Sequence, residues 1–262
     1  MTIPFFLVDA FTGEPFKGNV AGVCLVDESL SDMQMQQIAM EVNVSETAFV
    51  FRMDKNFSLR WFTPLVEVSL CGHATLASAH ILWQEGLLAE SEAAKFITKS
   101  GSLVVKKNQK WVEMDFPRFE STPVKVPEEL LQILNVNPIH TAEVFDRYLI
   151  EVATENEVKD INPDFSKLKH FKKVLITSKS DADSPFDFIS RYFAPSIGVN
   201  EDPVTGSSHC CLGPYWSKKL NKNEFTAYQA SKRGGIVRVR LEDNLVKLSG
   251  QAITTVKGSL VI

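Results

Sequence analysis

Hydrophobic and polar positions change period several times along the chain, and each change marks an element. Ile3–Phe11 is a strand-like apolar run that ends in the turn cluster Thr12-Gly13-Glu14-Pro15. Gly18–Val26 reads as a second strand after a Gly-Asn turn. Ser31-Asp32 opens a helix capped by Ser31, with Met33, Ile38, Met40 and Val42 as its apolar positions and an end near Asn43. Phe49–Phe51 and Phe57–Phe62 read as strands, with Ser45-Glu46-Thr47 at the mouth of the first. Over Gly72–Leu88 the apolar residues Ala74, Leu76, Ala77, Ala79, Ile81, Leu82 and Trp83 cover most of the circumference. A helix apolar on nearly all sides is a buried one. Lys95–Lys99, Ser102–Lys107 and Trp111–Phe116 then read as antiparallel strands, so the first half wraps a sheet around a central helix.

Pro117–Pro127 holds three prolines and no periodicity, the composition of a linker. The second half begins with a short helix at Glu128–Leu134. It continues with a strand at Tyr148–Ala153, a helix at Phe165–Phe171, strands at Val174–Thr177 and Phe186–Phe193, and a helix from Val204. Gly213-Pro214 falls inside that last helix. Proline lacks the donor a helix interior needs, which predicts a kink or a break.

The second half echoes the first. Arg60-Trp61-Phe62-Thr63-Pro64 returns 131 residues later as Arg191-Tyr192-Phe193-Ala194-Pro195, and the same offset sets Asp202 where Cys71 stands. Gly101–Lys106 matches Gly234–Val239 at an offset of 133, and Lys110–Phe116 matches Asn244–Gly250 at 134. Three matches in one order point to an internal duplication. The expected domains are residues 1–117 and 118–262, with the tail Ile253–Ile262 pairing back onto the first.

Composition narrows the functional classes. The chain has 262 residues, enough for two domains, and is 44% hydrophobic and 23% charged, which are ordinary globular values. A net charge of −4 without a basic run argues against nucleic acid as partner. No stretch approaches a membrane span, and Met1-Thr2-Ile3-Pro4 lacks the basic start of a signal peptide. Four cysteines in a chain this long make no disulfide framework, so a reducing cytoplasm is expected.

The candidate chemistry sits at the two helix starts and one strand mouth. A helix N-terminus offers free N–H groups and about +0.5 of charge, which favours a carboxylate or phosphate. Gly72 and Gly206 let backbone approach such an anion closely; in the plainer reading Asp202 is an N-cap and Pro203 a first-turn proline. Glu46 is either a solvated strand-end residue or a carboxyl whose pKa burial raises toward neutral, as suits a general acid/base. Residues at i and i+2 of a helix do not face each other, which argues against a Cys71–His73 pair. Cys71 is then either a thiol activated by the helix start or a small buried apolar residue. Cys71, His73, His209, Cys210 and Cys211 lack the usual zinc spacing, so no metal is expected.

Four segments in order resemble the PhzF family of phenazine biosynthesis-like proteins, within the diaminopimelate epimerase superfamily. They are Asp9-Ala10-Phe11 with Phe16-Lys17-Gly18-Asn19, Asn43–Phe49, Leu70–Thr75 and Glu201–Ser207. The resemblance implies an α+β fold of two pseudo-symmetric domains, each a curved, mostly antiparallel sheet around a central helix. It implies a cleft between them, isomerase chemistry on a small carboxylate without cofactor or metal, and a homodimer. Glu46 matches the proton-shuttling glutamate, and His73 and Asp202 the assisting polar residues. Ser45, Gly72, Gly206, Ser207 and Asn19 match substrate-holding positions. Val20 stands where the family often has proline after Gly-Asn, which bears on that loop's shape. The related epimerases use two cysteines. This chain pairs Cys71 with Asp202 by offset, which disfavours a two-thiol mechanism. An epimerase with Cys71 as one base, and a non-catalytic metabolite-binding protein, are the alternatives.

Overall fold

The computed structural model describes residues 1–26, 30–53 and 55–262, and it divides into two compact units. The first takes in Met1–Asp115 together with Ser249–Ile262, and the second Phe116–Leu248.

In the first unit, β1 (Thr2–Ala10) pairs antiparallel with β2 (Asn19–Val26) on one side and with the C-terminal strand Ala252–Val261 on the other. Helix α1 (Asp32–Val42) is the crossover that lets β2 pair parallel with β3 (Glu46–Arg52). Ser31 caps α1 through a full capping box with Gln34. Its buried stripe is Met35, Ile38 and Ala39, spaced for one helix face, so Met33 and Met40 point outward instead of joining the core. β4 (Phe57–Phe62) is antiparallel to β3, forms a hairpin with β5 (Glu67–Val68), and pairs parallel with β6 (Ala94–Thr98). β7 (Gly101–Asn108) and β8 (Trp111–Pro117) complete the run. Helix α2 (Gly72–Gln84) is buried nearly all round, as its composition predicts. Its buried hydroxyls turn back on the helix, Thr75 to the Cys71 carbonyl at 2.6 Å and Ser78 to that of Ala74 at 2.7 Å, so neither is left without a partner.

The second unit repeats this pairing scheme. β9 (Thr122–Pro123), α3 (Glu128–Leu134) and β10 (His140–Val144) lead into β11 (Arg147–Glu151). The short helices α4 (Glu155–Lys159) and α5 (Phe165–Leu168) make the crossover to β12 (Lys173–Lys179), parallel to β11. α5 ends three residues short of the expected Phe171. β13 (Phe188–Ala194) is antiparallel to β12, forms a hairpin with β14 (Val199–Glu201), and pairs parallel with β15 (Glu224–Gln229), which is followed by β16 (Gly235–Glu242). Helix α6 (Gly206–Leu220) begins two residues later than the sequence suggested.

Pro214 does not break α6. Its missing donor would have bonded the carbonyl of Cys210, and that carbonyl accepts the backbone N–H of Phe119 at 3.1 Å instead. The helix therefore runs on without an orphaned acceptor. Among the described residues no helix is long and apolar enough to cross a membrane.

Candidate active site

Glu46 is the first residue of β3, in register with Ala21 of β2, so the parallel pairing fixes the backbone from which its side chain projects. Cys71 is the N-cap of α2. Its extended backbone (φ −145°, ψ 108°) takes it out of the helix and overturns the spacing argument, which holds only for two helical residues. Cys71 Sγ therefore reaches His73, 3.5 Å from Nδ1 and 3.9 Å from Nε2. His73 Nε2 lies 3.2 Å from Glu46 Oε2. On the far side of the ring, the fully buried Asn19 sets its side-chain amide 3.3 Å from Nδ1. Asn19 thus stands behind His73 rather than on an open surface.

Gly18 makes that placement possible. It holds φ +66°, and a Cβ there would come within 2.1 Å of the Ala10 carbonyl. Val20 continues the ladder opposite Asp9, so the absence of proline leaves regular strand at that point.

The electrostatics of the group are coupled. Burial alone would raise the Glu46 carboxyl, but the charge of His73 and hydrogen bonds from His73 and Cys71 outweigh it and hold the group below its ordinary value. The expectation of a raised Glu46 is thus corrected: its partner decides the direction. Burial opposes charge on His73, and Cys71 and Glu46 together raise it well above its ordinary value. Burial, then Glu46, raises the Cys71 thiol. A raised thiol is neutral at pH 7 and lends His73 no charge there. Glu46 is then what keeps the proton on the imidazole, and Glu46 itself is a carboxylate. Ser45 is half-buried just ahead of Glu46, and Gly72 is half-buried between Cys71 and His73.

In the second unit the helix start is built differently from its expected counterpart. The N-cap of α6 is Thr205, not Asp202. Gly206 follows Gly72 by 134 residues, so Thr205 takes the place of Cys71. The offset grows from 131 because the 3-10 turn Pro195–Ile197 lengthens the β13–β14 hairpin. Asp202 accepts the Thr205 hydroxyl at 2.5 Å, and the buried Gln229 clamps both residues. Its Nε2 donates to the Asp202 carbonyl at 2.7 Å, and its Oε1 accepts the Thr205 N–H at 2.9 Å. Ser207 is exposed and accepts from Arg147 Nη1 at 3.0 Å. The Arg147 guanidinium lies 5.0 Å over the Tyr192 ring.

Both long helices start without a side-chain cap, whereas Ser31, Thr154 and Asp164 cap α1, α4 and α5. No cap side chain takes the first N–H groups of α2 or α6, although beside Gly206 the Thr205 N–H goes to Gln229 and the Ser208 N–H to the Thr205 carbonyl at 3.2 Å.

Sequence reasoning did not single out Gln229 or Arg147, and nothing in their local sequence marks them. It also missed a duplicated ion pair that was legible. Arg60 Nε binds Glu67 at 2.7 Å and Arg191 Nε binds Glu201 at 2.7 Å, and each guanidinium makes a second bond to the same carboxylate. Each pair braces the hairpin that leads to a long helix. Among the described residues, the group of three that offers metal donors in one place is Glu46, Cys71 and His73.

Residues 8–258 match the family model PhzC-PhzF, described as phenazine biosynthesis-like protein. An uncharacterized isomerase of Halalkalibacterium halodurans is 50% identical over the whole of both chains. The crystal structure of a PhzF-family phenazine biosynthesis protein from Enterococcus faecalis superposes with a TM-score of 0.95 at 38% identity, covering all of both chains. A probable proline racemase from Agrobacterium radiobacter, at 9% identity and a TM-score of 0.66 over 99% of this chain and 93% of its own, shares the fold alone. Pairing order, long buried helices and family match agree, and the chain belongs to the PhzC-PhzF family of phenazine biosynthesis-like proteins.

Proposed function

We propose that this chain is an isomerase that shifts a proton along a small carboxylate substrate without a cofactor. One observation carries the reading: the Glu46 carboxylate, held at a strand end by His73 at 3.2 Å, stands beside the uncapped start of α2. In this reading backbone N–H groups near Gly72 receive the substrate carboxylate. Glu46 takes a proton from the adjacent activated carbon, the double bond shifts, and the carboxyl returns the proton at the far carbon. His73 holds Glu46 in place and keeps it ionised until the proton arrives. Asp202, Gly206 and Ser207 serve the same substrate, as the family resemblance implies. The name isomerase carried by the relative from H. halodurans supports the class of reaction.

The test is solvent exchange. Incubation with a panel of small unsaturated carboxylates in deuterium oxide is expected to label carbon in at least one of them. Glu46→Gln is expected to lower that rate by about 10²–10⁴, the usual contribution of a placed acid/base, while the thermal melt stays in place. Exchange undiminished in Glu46→Gln overturns the assignment. Tight binding of carboxylates with no exchange at all turns the reading toward a metabolite-binding protein.

The contact between Cys71 and His73 favours one second reading, an epimerase with Cys71 as a base. Burial weakens it by keeping the thiol protonated. A Cys71→Ala protein that still turns over excludes it.

A further inference from the structure

Glu46, Cys71 and His73 make a donor set that proton transfer does not fully use. One carboxylate oxygen, one sulfur and one imidazole nitrogen all lie within 4.8 Å of one another. His73 Nε2 lies 3.2 Å from Glu46 Oε2, and Cys71 Sγ lies beside the ring, 3.5 Å from Nδ1 and 3.9 Å from Nε2. Around a tetrahedral zinc ion, bond lengths near 2.0–2.1 Å to N and O and near 2.3 Å to S give edges of about 3.4 Å (N to O) and about 3.6 Å (N to S). The first edge is present to within about 0.2 Å; Cys71 Sγ lies nearer Nδ1 and takes up the second by swinging about its Cα–Cβ bond toward the Nε2 side of the ring.

Three further features suit a metal. The ligands are mounted on rigid elements, the first residue of β3 and the first turn of α2 with its cap. The other ring nitrogen of His73 already has an outer partner in buried Asn19, whose amide can present its oxygen to an Nδ1–H. A thiolate and a carboxylate together neutralise a divalent charge, so the loaded site carries no net charge into a buried place. A mixed S, N, O set selects zinc-like ions over magnesium or calcium, which prefer oxygen alone.

We propose that Glu46, Cys71 and His73 form a three-ligand site for a thiophilic divalent cation of the zinc class, with its fourth position open. A divalent cation on Glu46 Oε2 withdraws charge from the carboxylate and weakens it as a base, so the loaded protein is inhibited. That consequence rests on the proton-transfer reading above, whereas the coordination is read without substrate. Binding displaces the Cys71 proton and any proton on His73, so affinity rises with pH.

Cobalt(II) is the probe. Titrated into the purified full-length protein, it is expected to give tetrahedral d–d bands and a thiolate-to-cobalt charge-transfer band at one equivalent, both removed by zinc. Cys71→Ser is expected to lose the charge-transfer band. His73→Asn is expected to weaken binding by more than the 10–100-fold typical of an outer-shell loss. X-ray absorption of the zinc-loaded wild type, which needs no variant, is expected to show one sulfur near 2.3 Å. Zinc shells without sulfur, or a cobalt spectrum unchanged in Cys71→Ser, overturn the proposal. Inhibition by zinc without sulfur ligation overturns it equally and leaves the isomerase reading standing.

Discussion

His73 Nε2 sits 3.2 Å from Glu46 Oε2, and this contact, helped by a hydrogen bond from Cys71, reverses the direction in which burial would move the Glu46 carboxyl. With His73 in place the group is held below its ordinary value. A His73→Asn variant removes the opposing charge and leaves only the Cys71 hydrogen bond against burial, so the Glu46 carboxyl is expected to rise. In chelator-treated protein the acid limb of kcat/KM should therefore lie below the ordinary carboxylate range in the wild type and move up in His73→Asn. Solvent-exchange rates measured from acid to neutral pH check this. A limb that stays put separates His73 from the ionisation of Glu46.

Arg191 and Arg60 occupy the same place in the two repeats but carry different loads. Arg191 holds Glu201 through two bonds and also donates Nη1 to the carbonyls of Ile161 at 2.5 Å and Lys159 at 3.1 Å, so it closes the end of α4 as well. Arg60 holds Glu67 likewise, but its third bond goes to Asp32, whose side chain is 79% exposed. Removing one partner of a largely buried pair costs about 3–5 kcal/mol, while an exposed bond contributes about 0–1. Arg191→Met is expected to fall in the upper range and Arg60→Met below it, by urea unfolding. Equal losses would show that the carbonyl contacts contribute nothing.

What the sequence revealed and what it hid follow from how local each signal is. The buried helix at Gly72 and the capped helix at Ser31 were legible because periodicity and a cap are properties of a few neighbouring residues. The duplication was legible for the same reason, through Arg60 and Arg191. The match of Asp202 to Cys71 failed because the insertion at Pro195–Ile197 falls between the landmark and the site. A second landmark, Glu67 against Glu201, would have placed Thr205 opposite Cys71. The contact of Cys71 with His73 was missed because helical spacing was applied to a residue whose backbone is extended. Gln229 and Asn19 act across strands that are distant in sequence, and a single chain holds no signal for such contacts. Pro214 is a related case, since its rescue comes from Phe119, far outside its own helix.

Gly213 is the position where α6 comes closest to its sheet. A Cβ there would lie 2.8 Å from Val239 Cγ1 and 3.2 Å from Leu241 Cδ2, both on β16. Alanine favours a helix interior over glycine by about 1 kcal/mol. Overpacking a tight core costs about 1–3 kcal/mol, and the branched Val239 has little room to yield. Steric crowding should win, so Gly213→Ala is expected to lower stability by about 1–2 kcal/mol despite its better propensity. Chemical denaturation checks the sign, and a stabilised variant would mean that β16 can step back from the helix.

His209 gives the second unit an acid-sensitive element of its own. It is fully buried on α6, donates from Nδ1 to the Thr205 carbonyl at 2.9 Å, and stacks at 6.1 Å against Phe188. Burial pushes its pKa from an ordinary 6.5 down to about 4, so the folded protein keeps it neutral. The unfolded chain takes up a proton near 6.5 and the folded chain does not until about 4, so stability falls as pH falls through that window. At 1.36 kcal/mol per unit the loss approaches about 3 kcal/mol at the acid end. Above 6.5 neither state binds the proton and the contribution is complete. A His209→Gln variant can keep a hydrogen bond to Thr205 but has no proton to gain. It is expected to be less stable than the wild type at pH 7, with the gap narrowing toward pH 4.5. Urea midpoints for both proteins at the two pH values decide it. A gap that does not change with pH would show that His209 takes no part in acid destabilisation.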